Sequence, residues 1–379
     1  MERTRQNKLE TLHSVTCRII TCQNQGKMNR LAGAVRIHLG TKGRFVNRNM
    51  PRVSVLIGVH NGEPFLRDSI DSLLNQTFDD FELIIVDDAS TDTSLETLGS
   101  ISDPRVTIQS LPENRGLAHA LNRGLTLAKG EYIARQDADD ISLPERFQKQ
   151  VDYLDQHPEV GVLATGVQII TETGEPNGTV IFPEHHYCLV WQFNFMNPIV
   201  HPSVMMRRSL LEQVGGYREL KVTQDYDLWV RLRNLTRFST LQEVLVHFRK
   251  HQGSVSSVYR GDQITTGREV RLQLMAEFWG KKIDPESLTI LRNYSGNPVQ
   301  APYRVVFPAT RMIVRLFSRF IKDKRLSDQE KTWIYKNVLH RLYLGFTGKR
   351  RKDIRYWLVY ARYAWLKIRF LHLAKNQDS

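Results

Sequence analysis

The fold class is predicted from the stretch VSVLIGVHNGEPFLRDSIDSLLNQTFDDFELIIVDD, from Val53 to Asp88. It opens with a continuous β-type run, VSVLIGV, and closes with a second one, FELIIVDD. Between them Pro64 lies near a helix start, and apolar residues recur at helical spacing, namely Phe65, Leu66, Ile70, Leu73 and Leu74. Two buried strands joined by a helix predict a βαβ unit, from which parallel sheets are built.

The alternation of strands and helices continues to residue 137. A second helix after Ser90, the strand RVTIQS, the helix GLAHALNRGLTLA and the strand EYIARQ follow in turn. Residues 51–137 are therefore predicted to form a Rossmann-like, mostly parallel sheet flanked by helices, which is the α/β class. Farther on, Ser142 and Glu145 have capping-box spacing for another helix, and VGVLATGVQII, TGEPNG and TVIF predict longer strands joined by a hairpin.

The positive charge of the chain is concentrated at its two ends. Residues 1–50 hold 10 Lys and Arg against 2 Asp and Glu, residues 301–379 hold 19 against 5, and residues 51–300 hold 24 against 33. The pattern predicts a basic, loosely ordered segment over 1–50, a folded domain over 51–260, a connecting segment over 261–300 and a basic, aromatic helical extension over 301–379.

Cysteine content and hydropathy indicate the cellular compartment of the protein. The three cysteines, Cys17, Cys22 and Cys188, have no spacing typical of a disulfide framework or a zinc site. No apolar run approaches the roughly 18–20 residues of a membrane-spanning helix, and the N-terminus lacks the apolar segment of a secretory signal. We expect a cytoplasmic protein with reduced thiols.

Acidic side chains follow the predicted strands where those strands end. Asp137, Asp139 and Asp140 come directly after EYIARQ, and Asp87 and Asp88 end the second strand. Ligands of open parallel sheets bind beyond the carboxyl ends of the strands, and closely spaced carboxylates suit Mg²⁺ or Mn²⁺ carrying a diphosphate. The alternatives are a solvated acidic turn before a helix for the first group and helix capping for the second.

A further pair of carboxylates lies in the stretch TQDYDLWVRL. Asp227 leads into an apolar helix face and is expected to serve helix start and packing. Asp225 is the candidate general base, since a carboxylate near a bound donor can take the proton of an attacking hydroxyl.

Three stretches resemble the family 2 glycosyltransferases of the GT-A fold, in order and in spacing. They are VSVLIGVHNGEPFLRDSIDSLLNQTFDDFELIIVDDASTD, NRGLAHALNRGLTLAKGEYIARQDADD, and HPSVMMRRSLLEQVGGYREL followed by TQDYDLWVRL. The resemblance covers about residues 51–257. It implies an inverting transfer from a nucleotide-sugar, usually a UDP-sugar, to a hydroxyl of a glycan or lipid-linked glycan, with Mn²⁺ or Mg²⁺. Residues 51–140 would bind the nucleotide and residues 141–260 the acceptor.

The resemblance implies a nucleotide pocket at the ends of the first two strands. Val59, His60 and Asn61 fall in this pocket, although the family often has Tyr or Phe where His60 stands. Asp88, with Asp87 beside it, corresponds to the aspartate that meets the base.

Two more segments match the family. Asn114, Arg115 and Gly116 match an Asn-x-Gly segment that closes on the nucleotide, and a plain helix N-terminus is the alternative for Asn114. Asp225 matches the catalytic base, although Gln224 stands where Glu is frequent.

The resemblance also implies a metal site. Asp137, Ala138 and Asp139 stand at the Asp-x-Asp motif, with Arg135 before them in the manner of the family. Asp139 is implied as a direct metal ligand, and Asp137 as a contact of the ribose or the metal. His251, in VHFRKHQGSVSS, is implied to complete the donor or metal site, and an exposed loop histidine is the alternative.

The extension over 301–379 predicts basic amphipathic helices. RMIVRLFSRFIKDKR and RKDIRYWLVYARYAWLKIRFLHL carry arginines four and seven residues apart, namely Arg311, Arg315 and Arg319, and Arg355, Arg362 and Arg369. Such helices suit an anionic membrane surface, which would place the protein on the inner face of the membrane. The alternative is that their aromatic faces pack on the domain. No nucleic-acid motif accompanies the charge, so no specific nucleic acid is expected.

Sheets of this kind also occur in two other functional classes. A non-catalytic protein of the same fold that binds a nucleotide-sugar or glycan is the alternative, and the presence of Asp88, Asp137, Asp139 and Asp225 argues against it. A dinucleotide oxidoreductase needs G-x-G-x-x-G after the first strand, which GVHNGE lacks.

Overall fold

The computed structural model describes residues 50–279, 303–322 and 325–346. Its strands are β1 (Val53–Val59), β2 (Phe81–Asp87), β3 (Val106–Ser110), β4 (Tyr132–Arg135), β5 (Ile141–Ser142), β6 (Val160–Ile170), β7 (Pro176–Val180), β8 (Met205–Arg207) and β9 (Arg237–Arg249). The helices are α1 (Leu66–Leu74), α2 (Ser94–Gly99), α3 (Leu117–Leu127), α4 (Arg146–Gln156), α5 (His186–Phe193), α6 (Arg208–Gln213), α7 (Gln224–Leu232), α8 (Val255–Val258), α9 (Arg260–Trp279), α10 (Tyr303–Phe320) and α11 (Asp328–Phe346). These residues belong to one compact unit that starts at Asn49.

The first half of the domain is the parallel part of the sheet. The strand order is β3-β2-β1-β4-β8-β6-β9-β5, with β7 paired to β6, and the first four strands run parallel. Val59 lies opposite Asp87, and Leu56 lies opposite Arg135. The strands predicted from the sequence therefore end at one edge, and the predicted α/β class with a mostly parallel sheet is confirmed.

The second half has mixed strand directions. Strand β8 is antiparallel to β4 and β6, β9 runs parallel to β6, and β6 and β7 form the predicted hairpin. The two-residue strand β5 pairs antiparallel with the end of β9, with Ile141 opposite His247. This pairing brings the loop after β9 beside the carboxylates that precede β5.

Apolar side chains pack on both faces of the sheet. Helices α1 and α4 bury Leu66, Ile70, Phe147 and related residues on one face. On the other face α3, α5 and α7 bury a cluster that includes Leu121. The site described below lies at the edge between these two layers, where the parallel strands end.

Helices α10 and α11 pack against the domain. Their apolar residues share a buried cluster with α5 and with Met275 of α9. The described part of the extension thus follows the packing alternative, while Arg311, Arg315 and Arg319 form an exposed row on α10. The helix predicted around Arg355, Arg362 and Arg369 and the basic segment before Met50 lie outside the described residues. Among the helices that are described, none is both long and apolar enough to cross a bilayer.

Candidate active site

The segments that are predicted to bind the nucleotide meet at the ends of β1 and β2. The two carboxylate oxygens of Asp88 accept hydrogen bonds from the backbone amides of Arg115 at 2.9 Å and Gly116 at 2.7 Å. Gly116 has a φ of 89°, a backbone conformation that glycine adopts without a steric penalty. Asp88 therefore holds the segment from Asn114 to Gly116 against the end of β2.

The residues after β1 are fixed by the loop after β2. Asn61 has a φ of 55°, and its Oδ1 accepts from the backbone amide of Thr91 at 2.8 Å. His60 Nδ1 donates to the carbonyl oxygen of Asp88 at 2.9 Å. The ring is exposed. The side chain of Val59 is buried in the sheet core, so Val59 faces this region only through its main chain.

Asp87 lies behind this loop. It is buried, and its Oδ1 accepts from the backbone amide of Ser90 at 3.3 Å, while its Oδ2 has no hydrogen-bond partner. Its contact holds the turn after β2, and it does not cap α2, which begins at Ser94.

Three carboxylates meet after β4. One oxygen from each of Asp137, Asp139 and Asp140 lies within 4.8 Å of the others. Asp137 pairs with the guanidinium of Arg135. Asp140 is completely buried, and its Oδ1 accepts from the backbone amide of Arg249 at 2.8 Å, while its Oδ2 has no partner. An unpartnered buried carboxylate oxygen beside two other carboxylates fits a hard divalent cation such as Mg²⁺ or Mn²⁺.

Burial shifts the pKa of two of these carboxylates, Asp137 and Asp140. Burial raises the pKa of Asp137, although Arg135 opposes the shift. Burial, together with the charges of Asp139 and Asp137, holds the pKa of Asp140 well above its usual range. A cation between the three groups would favour their ionised forms.

His251 lies against the carboxylate cluster. Its Nε2 is 2.9 Å from Asp139 Oδ2, and its ring centroid is 4.9 Å from that of Phe65. The hydrogen bond to Asp139 raises the pKa of His251. The structure therefore places the histidine predicted from the sequence beside Asp139, instead of leaving it as an exposed loop side chain.

A buried arginine behind the carboxylates was not predicted from the sequence. Arg146, at the start of α4, donates to Gln136 Oε1 at 2.9 Å, to Ser142 Oγ at 2.8 Å and to the carbonyl oxygen of Arg135 at 2.9 Å. Burial lowers the pKa of Arg146 to about 9, so the side chain stays charged at neutral pH. The predicted capping box was wrong, because Ser142 lies in β5 and its hydroxyl bonds to Gln136 and Arg146.

Asp225 lies in the first turn of α7. Its Oδ2 accepts from Asn197 Nδ2 at 2.7 Å. Burial raises the pKa of Asp225 above its usual value. The positive charge of Arg135, which also faces Asp137, opposes this rise. Asp227 forms ion pairs with Arg218 and Arg231, as a packing residue would. Asn197 was not singled out from the sequence, since only the fold brings it to Asp225.

Arg135 joins the two acidic regions. It is buried, and its Nε and Nη1 atoms have no hydrogen-bond partner. Its charge acts on Asp137 and Asp140 on one side and on Asp225 on the other. The structure thus brings Asp137, Asp140 and Asp225, which come from separate stretches, near one buried cation.

The sequence of the chain is similar to those of known proteins. The profile described as Glycosyl transferase family 2 matches residues 54–215. The O-antigen biosynthesis glycosyltransferase WbnJ of Escherichia coli is 35% identical over 215 residues, which are 55% of this chain and 83% of that protein. The amylovoran biosynthesis glycosyltransferase AmsE of Erwinia amylovora is 33% identical over 202 residues, 52% of this chain and 75% of that protein.

The fold also has a counterpart among solved structures. The crystal structure of residues 1–349 of S. aureus TarS in complex with UDP-GlcNAc superposes with a TM-score of 0.51 at 19% identity. The superposition covers 77% of this chain and 81% of that chain. At this level of identity the likeness establishes a shared fold.

Proposed function

The chain belongs to glycosyl transferase family 2, and from that membership we propose that it moves a sugar from a UDP-sugar to an acceptor hydroxyl with inversion at the anomeric carbon. The observation that carries the proposal is the grouping of Asp137, Asp139 and Asp140 at the carboxyl edge of the sheet. Ligands of open α/β sheets bind at this edge.

The nucleotide is proposed to lie between the ends of β1 and β2. His60 and Asn61 would contact it from one side and the segment from Asn114 to Gly116 from the other. Asp88 connects the two sides. Its carboxylate accepts hydrogen bonds from backbone amides of that segment, and its carbonyl oxygen accepts a hydrogen bond from His60. Exposed rings such as that of His60 suit contact with a base.

The diphosphate is proposed to lie at the carboxylates. Asp137, Asp139 and His251 would hold Mn²⁺ or Mg²⁺, and the unpartnered oxygen of Asp140 is a further candidate. A bound divalent ion supplies positive charge that stabilises the leaving diphosphate. Arg135 orients Asp137 through their ion pair.

Asp225 is proposed as the general base. Its carboxylate takes the proton of the acceptor hydroxyl while the acceptor oxygen bonds to the anomeric carbon. The bond from that carbon to the diphosphate oxygen breaks, and its electron pair leaves with the diphosphate. The raised pKa of Asp225 brings it nearer to the working pH, where a base is most effective. The single displacement inverts the configuration.

The acceptor is proposed to be a growing glycan or a lipid-linked glycan of a cell-envelope polysaccharide. The names of two relatives, which refer to O-antigen and amylovoran biosynthesis, support this assignment. The exposed row of Arg311, Arg315 and Arg319 on α10 supports attachment to an anionic membrane surface from the cytoplasmic side.

The proposal is tested by measuring UDP release from a panel of UDP-sugars with Mn²⁺, with Mg²⁺ and with EDTA. We expect release that needs a divalent ion, and loss of Mn²⁺-dependent UDP binding by calorimetry in Asp139→Ala. The control Asp152→Ala removes an exposed carboxylate on α4 and should bind as wild type does. Release unaffected by EDTA, or unchanged UDP affinity in Asp139→Ala, would contradict the metal assignment.

A further inference from the structure

Helix α5 is shared between the core of the sheet and the C-terminal helices. Leu189 and Phe193 belong to the cluster on the face of the sheet, whereas Trp191 belongs to the cluster formed with α10 and α11. The backbone amide of Tyr187 donates to Glu330 Oε1 of α11 at 3.0 Å. Movement of α11 would therefore be transmitted to α5.

Two polar residues of α11 hold the C-terminal end of α5. Asn337 Oδ1 accepts from Trp191 Nε1 at 2.9 Å and from Arg341 Nε at 2.7 Å. The guanidinium of Arg341 lies 3.7 Å from the ring centroid of Phe195. Both Trp191 and Arg341 are buried, and burial lowers the pKa of Arg341 to about 10. A buried cation on an aromatic face is a directional contact, and it fixes where Phe195 lies.

The residues around Phe195 hold the start of α7. The carbonyl oxygen of Phe193 accepts from the hydroxyl of Tyr226. Two residues after Phe195, Asn197 Nδ2 donates to Asp225 Oδ2 at 2.7 Å. The segment from Phe193 to Asn197, which α11 contacts through Phe195, therefore also contacts two consecutive residues of α7. One of these two residues is Asp225, the proposed base.

We propose that α11 positions the base, with Asn337 and Arg341 fixing the end of α5 and Asn197 transmitting that position to Asp225. This inference rests on the proposed function, because it presumes that Asp225 takes the acceptor's proton. It gives the C-terminal helices a role in the transfer step that is separate from any membrane contact. Helix α11 lies beyond residues 54–215, so the family match does not assign this role.

The test uses the full chain and the UDP-sugar that wild type turns over fastest. The variants are Asn197→Ala, Arg341→Met and the double variant, with Lys336→Met as the control because Lys336 is an exposed cation on the same helix. UDP release gives kcat and the KM for the donor, and kcat is also measured against pH. Asp225→Asn is assayed beside them.

A positioning role predicts a particular pattern of kinetics. Asn197→Ala should lower kcat by about 10-fold or more, with the donor KM within about 2-fold of wild type, since the donor contacts lie elsewhere. Arg341→Met should lower kcat in the same way, and the double variant should be no worse than Asn197→Ala within about 2-fold, because both act through one contact. Lys336→Met should equal wild type.

The pH profile gives a second measure of the same contact. Asp225 faces Asn197, Arg135, Tyr217 and the backbone amide of Tyr226. Asn197 stabilises the ionised carboxylate, so its loss raises the pKa of Asp225. The acid limb of kcat should therefore move to higher pH in Asn197→Ala, which a loss of stability alone would not produce.

The possible failures are distinguishable. If Asp225→Asn turns over normally, the proposed base is wrong. If Asp225→Asn is impaired but Asn197→Ala has normal kcat and an unmoved acid limb, the positioning role is wrong while the base stands. Multiplied losses in the double variant would mean that α11 acts by another route, which also overturns the proposal. Normal kcat in Arg341→Met would overturn the role of α11. Should that variant fail to fold, Arg341→Lys, which keeps the positive charge but not the guanidinium over Phe195, is assayed in its place with the same expected loss of kcat.

Discussion

Replacement of Asp140 by Asn should stabilise the metal-free protein and weaken its response to Mn²⁺. The ligand oxygens of Asp137, Asp139 and Asp140 lie within 4.8 Å of one another. At that separation, with an effective dielectric constant of about 20, two unit charges repel by about 3 kcal/mol. Arg135 and Arg146 offset part of this repulsion. We expect Asp140→Asn to add a net gain of about 1–2 kcal/mol, or roughly 2–8 °C in Tm.

The shape of the site should survive this change. Asn keeps Oδ1 as the acceptor for the backbone amide of Arg249, and its amide nitrogen replaces an oxygen that has no partner in the structure. The stability change therefore reports mainly the removed charge.

The assay is thermal unfolding by circular dichroism, in EDTA and in excess Mn²⁺. In EDTA the variant should melt higher than wild type, and Asp152→Asn, which removes an exposed charge, should shift Tm little. A ligand at 100 times its Kd stabilises by about 2.7 kcal/mol, and we expect less than half of the wild-type Mn²⁺ shift in Asp140→Asn.

Acidification gives an independent check on the same group. The pKa of Asp140 is higher in the folded chain than in the unfolded chain, so the folded state binds that proton more tightly. This tighter proton binding favours folding at a pH below the pKa of Asp140 in the unfolded chain. The effect is lost as pH rises through the pKa of Asp140 in the folded chain. The difference in Tm between the variant and wild type in EDTA should therefore grow between pH 5 and pH 8. A variant that melts lower than wild type in EDTA would refute the repulsion argument.

Two further predictions follow from the other parts of the site and the surface. Asp225→Asn keeps the shape of the side chain and should lower turnover by roughly 10²–10⁴-fold with near-normal UDP affinity, as measured by UDP release and calorimetry; near-normal turnover would remove Asp225 from the mechanism. Replacement of Arg311 and Arg315 together by Gln should reduce cosedimentation with anionic vesicles with little change in Tm, since both are exposed on α10. Equal vesicle binding by wild type and this variant would rule out the row as the membrane contact.

The parallel half of the domain can be predicted from the sequence alone. The apolar runs that became β1, β2 and β4 are continuous because both faces of these strands are covered by helices. Helical spacing located α1 within a few residues, and helices were also predicted where α3 and α4 lie, although the capping box proposed for α4 was wrong. Since parallel strands end at one edge, the positions of Asp88 and Asp137 at strand ends also placed them in one region.

The distant segments that complete that region are known only from the folded chain. Arg249 and His251 reach the carboxylates because β5 pairs with the end of β9, more than a hundred residues farther along the chain. Neither strand registers nor the pairing of a two-residue strand leave a pattern in local sequence. The identity of these neighbours therefore had to come from the fold, or for His251 from family resemblance.

Side-chain direction was also decided by packing. Ser142 has the sequence position of a helix cap, yet its hydroxyl bonds to Gln136 and Arg146 because β5 extends the chain there. The amphipathic sequence of α10 fits both a membrane surface and a protein surface, and α5 and α11 supply the second. Local periodicity specifies that a face is apolar, because burial of that face drives the element to form. What covers the face depends on which other elements reach it, and that is a property of the whole fold.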